Sequence, residues 1–355
     1  MTPRERWLAL FSNQKPDRQV TDYWATNEFH TKIRQALDIT GSSDEPLWVK
    51  LGIDRPFNGG PFGIDPVWKL QHHPDDPKAN QWGIRFEKVD YGSGSYGEVV
   101  YSPLAKCKTA AEVHAFRWPS PDDFDYSGIA AIVKTNNNQR IVTGGCYEPF
   151  LLYCRMRGME QAYEDLLLDP EIATAGLGHI FDYCYELNRR IWQSTKFDMT
   201  YIAEDLGGQT GPLLSLESYR KFLLPNQKKM ADLARSFGLR IFYHTDGAAR
   251  MFLPDLVNEV GIDILNPLQW RCPGMELAGL VRDYGNQLIF HGGIDNQQTL
   301  SFGTVEDVRQ EVREVAAIMR NTRWICAPCH NIQNVSPVAN ILAMYGTIRE
   351  ITPTS

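Results

Sequence analysis

The sequence lacks any apolar run near the ~18 residues a membrane-spanning helix needs, and it has no internal repeat or low-complexity tract. Basic residues are in the minority. Thirty-six Lys and Arg stand against 43 Asp and Glu, a net charge of -7. Nucleic acid and anionic membrane surfaces are bound through basic patches, so neither partner is expected. Cysteine is sparse and odd in number: Cys107, Cys146, Cys154, Cys184, Cys272, Cys326 and Cys329 show no framework spacing, which points to reduced thiols. Cys326 and Cys329 form a lone C-x-x-C with no second pair, so a structural zinc knuckle is not expected. The opening Met1-Thr2-Pro3-Arg4-Glu5-Arg6 is charged and lacks the apolar stretch of a signal peptide, and the expected location is cytoplasmic.

What is present is an alternation. From residue 140 onward, β-branched and aromatic runs that end in polar or glycine residues give way to amphipathic segments. The strand candidates are Arg140–Cys146, Phe197–Asp205, Arg240–Asp246, Asp263–Leu268, Gln287–Asp295 and Trp324–Cys329. Ser215–Phe237 and Thr304–Arg320 read as helices between them, the second with Thr304 as N-cap and Asp307 three residues on. Leu168-Asp169-Pro170-Glu171 reads as a helix start with proline at N1. Upstream, Gln19–Trp24 and Pro46–Gly52 supply two more strands around a helix at Asn27–Leu37. Eight strand–helix units predict a closed (β/α)₈ barrel of 355 residues as one domain. An open doubly wound sheet is the competing arrangement.

Residues 55–136 break the rhythm with Gly, Pro, Asp and Trp. They predict an irregular insertion over the barrel mouth, with a hairpin made of Trp82–Val89 and Tyr96–Tyr101. The glycine-rich Tyr91–Gly97 and Asn58–Gly63 are expected to border the mouth as a lid, with Trp82 and Tyr96 as anchors. Gly92-x-Gly94-x-x-Gly97 matches a dinucleotide fingerprint in letters only, because it sits in a hairpin turn and not between a strand and a helix. Gly144-Gly145-Cys146 has no nucleophile-elbow context.

In such a barrel, catalytic groups come from the carboxyl ends of the strands. Those ends supply Asp54, Glu204-Asp205, His244 and Asp246, Gln269, His291 and Asp295, and Cys329-His330. His244 and Asp246 are two apart and share a strand face, which suits a metal or a histidine oriented by a carboxylate. A simple helix cap at Asp246 is the alternative. Cys329 and His330 are adjacent and point opposite ways, so one of them faces the mouth. The other reading of Cys329 is a small buried hydrophobe. Glu204 is a candidate acid, base or ligand, or a cap. Gln209, Gln269, His291, Asp295, Gln297 and Gln333 are candidate substrate contacts, with capping and core packing as the alternatives for Asp295 and His291. The double glycine of Gly292-Gly293 lets backbone approach a ligand closely.

These residues resemble the uroporphyrinogen decarboxylase superfamily. The resemblance covers nearly the whole chain and is carried by His244-Thr245-Asp246-Gly247, by Gly292-Gly293-Ile294-Asp295, and by Ala327-Pro328-Cys329-His330-Asn331-Ile332-Gln333 with Pro337 and Asn340. Arg4–Leu10 and Pro16-Asp17-Arg18 look like the start of its methyltransferase branch. The resemblance implies a (β/α)₈ barrel and one of two activities. One is zinc-assisted methyl transfer between a corrinoid, free methylcobalamin or a corrinoid protein, and a small molecule, with ligands among His244, Asp246 or Glu204, and Cys329 or His330. The other is cofactor-independent decarboxylation, with Asp54 stabilising a positive intermediate and His330 handling protons. The chain departs from both patterns. Val20-Thr21-Asp22-Tyr23-Trp24 stands where the decarboxylase carries arginines for its porphyrin, and His244-x-Asp246 stands where the methyltransferases have His-x-Cys. A non-catalytic barrel binding a tetrapyrrole or small molecule is the third expectation, and a homodimer the default assembly.

Overall fold

The computed structural model describes residues 1–57, 64–70, 72–92 and 94–351. The strands, in chain order, are β1 (Val20–Thr21), β2 (Val67–Trp68), β3 (Arg85–Asp90), β4 (Ser95–Tyr101), β5 (Phe124–Asp125), β6 (Thr143–Tyr147), β7 (Met199–Ala203), β8 (Arg240–His244), β9 (Ile264–Asn266), β10 (Ile289–Ile294) and β11 (Arg323–Pro328). Seven of them form one parallel sheet in the order β1-β11-β10-β9-β8-β7-β6. Residues 53–57 close the ring as an irregular eighth stave. The Asp54 amide donates to the Thr21 carbonyl (2.8 Å), the Phe57 amide to Ile141 (2.7 Å), and the Thr143 amide to Phe57 (3.1 Å). The architecture is therefore a (β/α)₈ barrel.

Two layers of apolar packing hold it. Inside the staves sit Val20, Ile141, Met199, Phe242, Ile264, Ile289 and Ile325. Helix α1 (Pro3–Phe11) contributes Trp7, Leu10 and Phe11 to the same cluster. It lies across the amino ends of the strands: Arg4 pairs with Asp198 just before β7 (2.6 Å), and Arg240 at the start of β8 donates to the Phe11 carbonyl (3.1 Å). The barrel is thus stoppered at one end and open at the other. The second layer lies between the outward strand faces and the helices.

Three expectations change. Pro46–Gly52 is a helix, not a strand: α3 (Glu45–Leu51) follows α2 (Asn27–Ala36). Its Leu47 and Leu51 are four apart and buried, while Val49 is exposed, so the apolar run has helical and not alternating period. The predicted helix over 215–237 is two, Leu216–Phe222 and Leu224–Ser236, because Pro225 cannot donate to the ladder and crowds the preceding turn. Tyr96 is exposed, with its ring beside Tyr91 of the same hairpin, whereas Trp82 is buried against Tyr183, ring centroids 4.5 Å apart. The hairpin itself forms as β3 and β4, and β2 pairs with β5. Asn58–Gly63 falls outside the described residues. The helix at Val305–Met319 carries the predicted cap, with the Thr304 side chain and Asp307 in a capping box. Among the described residues no helix is long and apolar enough to cross a membrane.

Candidate metal centre

Strand alternation decides what reaches the open mouth. On β7, Met199, Tyr201 and Ala203 face inward; two residues on, Asp205 continues that face. On β8, Phe242, His244 and Asp246 do the same. The loops after these strands meet through backbone contact. A Cβ on Gly247, whose φ is +67°, would lie 2.4 Å from the Gly208 carbonyl oxygen, so only glycine fits where the two loops press together. His330 arrives from the end of β11.

The result is a compact donor set. One ligand atom each from His244, Asp246 and His330 lies within 4.8 Å of the others. His244 Nε2 stands 3.6 Å from Asp246 Oδ1 and 3.9 Å from Asp205 Oδ1, and His330 Nε2 stands 3.5 Å from Asp246 Oδ2. Those separations are too long for hydrogen bonds. Asp205 Oδ1 and Asp246 Oδ1 are buried and have no hydrogen-bond partner among the described residues. Buried carboxylate oxygens without partners are costly unless a cation serves them. Imidazole nitrogen and carboxylate oxygen are both donors for zinc, so the set is compatible with that ion.

A buried polar chain fixes how His244 presents itself. His244 Nδ1–H donates to Asn266 Oδ1 (2.6 Å), Asn266 Nδ2 donates to His291 Nδ1 (2.7 Å), and His291 Nε2–H donates to Asp22 Oδ2 (2.9 Å). Asp22 also accepts from the Tyr23 amide and the Trp24 indole. Burial raises its pKa, but the His291 hydrogen bond and the Arg55 charge outweigh that and hold it below the usual carboxylate range. An ionised Asp22 commits each donor in turn and leaves His244 Nε2 with its lone pair toward Asp246 and His330. Trp24 stacks on His244 with centroids 5.8 Å apart, and Tyr201 lies at 5.6 Å.

Beside this centre two carboxyls, Glu148 and Asp205, are held above their usual range. Burial and the neighbouring Asp205 and Asp246 lift Glu148 to about 7, against the pull of His244 and Arg155. Burial likewise raises Asp205, with Asp246 adding to it and the two histidines opposing. His330 is pushed down by burial, partly offset by Asp246. The Glu148 shift gives a signed prediction for metal-free protein. Between pH 4.5 and about 7 the folded state keeps a proton that the unfolded chain has released, so stability falls as pH rises through that window. Glu148→Gln should therefore be more stable than the parent at pH 8 by about 2–3 kcal/mol and gain nothing at pH 4. Urea melts at the two pH values check this; an equal effect at both would reject it.

The other expected residues are placed elsewhere. Asp54 is fully buried at the amino end, held by Arg18 (2.8 Å) and Arg6 (3.0 Å), so it cannot act at the mouth. Cys329 is not with the triad. Its thiol donates to the Leu268 carbonyl (2.9 Å), and burial pushes its pKa well up. Glu204 points away from the barrel axis and accepts from the Phe150 amide (2.8 Å), capping the helix Pro149–Arg157. Asp295 is ion-paired with Arg271 (2.7 Å) and accepts from the Gln297 amide (2.9 Å). Gln269 accepts from the Gly247 amide (2.6 Å), Gln297 donates to Gln209 (3.0 Å), and Gln333 donates to the Asn331 carbonyl (3.0 Å). His291 joins the site through the polar chain. Sequence reasoning passed over Glu148, Asn266, Asp22 and Trp24, and it named Asp205 at a strand end but gave the role to Glu204. The available signal was the two-residue face: counting inward from Tyr201 selects Asp205 and not Glu204.

The fold and site define a (β/α)₈ barrel with a histidine–carboxylate cluster at the carboxyl ends of its strands. The family model described as uroporphyrinogen decarboxylase (URO-D) matches residues 88–351, more than half of the chain, and the chain belongs to that family. A methyltransferase from Methanosarcina mazei superposes with a TM-score of 0.66, covering 99% of each chain at 14% identity, which shows a shared fold. A B12-independent methionine synthase from a Shewanella species reaches a TM-score of 0.42 at 12% identity, covering 94% of this chain and 96% of its own, too low to carry an argument. No curated protein matches by sequence.

Proposed function

We propose that the protein transfers a methyl group between a corrinoid and a small-molecule donor or acceptor, with zinc held by His244, Asp246 and His330. The observation that carries this reading is the three-residue donor cluster, with a partnerless buried oxygen on its Asp246 and another on the neighbouring Asp205. The family and the fold shared with a methyltransferase support it. A bound divalent ion supplies a Lewis acid that favours the deprotonated form of a thiol or similar acceptor. His244 offers Nε2 because its Nδ1–H is committed to Asn266. Glu148, which lies beside the cluster and which burial holds above the usual carboxylate range in the metal-free protein, is the group placed to take the acceptor's proton. Trp24 and Tyr201 wall the imidazole of His244 against water. The partner in this reading is a corrinoid protein or free methylcobalamin.

The decarboxylase reading loses the residue it depended on, since Asp54 lies sealed at the far end. The test is incubation of metal-loaded protein with methylcobalamin and a panel of thiols, following the corrinoid spectrum and the methylated thiol by mass spectrometry. Turnover that disappears in His330→Ala is expected. Failure of methylation in both directions, by protein carrying one metal per chain, would overturn the proposal.

A further inference from the structure

A cavity of about 800 Å³ lies at the end of the barrel opposite the metal centre, between the segment leading into β1 and the turn leading into β11. Its walls hold five cationic side chains, Lys15, Arg18, Arg313, Arg320 and Arg323, and among the described residues no aspartate or glutamate lines it. On a chain with a net charge of -7 that is a concentrated reversal of sign. Arg18 is neutralised by Asp54 (2.8 Å), and Arg313 comes only to 3.5 Å from the exposed Glu306. Lys15 and Arg320 form no ion pair with any described residue. Burial, and after it the charge of Arg240, lower the pKa of Arg323, with Asp263 opposing them.

Lys15, Arg313 and Arg320 are exposed and Arg323 is half-buried, and like charges gathered around one concave space favour a bound anion. We propose that this cavity binds a small molecule carrying several phosphate or carboxylate groups. Planar guanidinium forks on Arg313, Arg320 and Arg323 match the paired oxygens of either group, and Lys15 adds a mobile point charge. The site is separate from the strand ends, so its occupant is neither the methyl donor nor the acceptor.

Isothermal titration of the full chain with pyrophosphate and, in a second arm, with citrate tests the assignment at ionic strength held constant with sodium chloride. Saturable binding is expected in at least one arm, and the tighter arm names the anionic group. The same ligand should raise the melting temperature. In the double variant Lys15→Ala, Arg320→Ala the dissociation constant should rise at least ~10-fold, the loss of about 1.4 kcal/mol or more. Both side chains are exposed and unpaired, so the fold is expected to survive. Arg309→Ala, outside the cavity, should bind as the parent does. No saturable heat in either arm, or binding unchanged in the double variant, would overturn the proposal. Both ligands also chelate divalent ions, so the titrations use chelator-treated, metal-free protein, and neither result then depends on the metal site or on methyl transfer.

Discussion

Protein purified without chelator is expected to carry one metal ion per chain, and His244→Ala or His330→Ala to carry none. Each substitution removes one of three side-chain donors. Loss of a group that merely orients a ligand costs ~10–100-fold in affinity, so loss of the ligand itself should cost more than ~100-fold. Asn266→Ala probes the orienting chain. It frees the His244 Nδ1–H and should fall in the lower range, ~10–100-fold. Cys329→Ser should leave affinity unchanged, because that thiol is spent on the Leu268 carbonyl. Metal content by mass spectrometry and competition against a chromogenic chelator read all four. Metal retained at parent affinity in His244→Ala and His330→Ala would remove the centre, whatever the protein's activity.

Asp54→Ala should be among the most destabilising single changes in the chain. The carboxylate is fully buried and takes hydrogen bonds from Arg6, Arg18 and the Thr21 amide. Its carbonyl also accepts from the Trp7 indole (2.8 Å). Removing the carboxylate leaves Arg18 without its partner and Arg6 with Asp17 alone, in a poorly solvated space, which costs about 3–5 kcal/mol. The affected pieces are α1, β1 and the irregular stave, so the seam where the barrel closes is what weakens. Denaturant midpoints measure the loss. The metal content of the folded fraction should stay at the parent level, whereas a catalytic role at the mouth would predict the reverse pattern.

The same residue shows where sequence and structure part. Barrel architecture was legible because six of the staves announce themselves as β-branched runs followed by helices, and Thr304 with Asp307 marks a helix start that forms as written. The second stave was not. Its hydrogen bonds run through 53–57, a stretch with no strand-like alternation, while the apolar segment before it winds into α3. Counting Pro46–Gly52 as a strand placed Asp54 at a carboxyl end it does not occupy. At the site, His244 and Asp246 were readable from their spacing of two, and His330 from its position after β11. Cys329 against His330 was not, since a proline precedes the pair and the direction of each side chain is set by the turn. Asn266 and Asp22 were invisible for another reason: their role exists only through neighbours far away in the chain, 22 to 269 residues apart.

That separation gives the polar chain a second consequence. Asp22, His291, Asn266 and His244 sit on or just beyond four staves, and β8 pairs with β9 so that His244 stands opposite Asn266. A slip of one residue between any two of these staves would turn one member toward the helices and leave its partner in an apolar interior without a hydrogen bond. Apolar side chains tolerate such a shift if volume is conserved; a donor–acceptor sequence with a fixed order does not. The chain of hydrogen bonds that aims His244 therefore also tells the barrel which alignment of its strands is the native one.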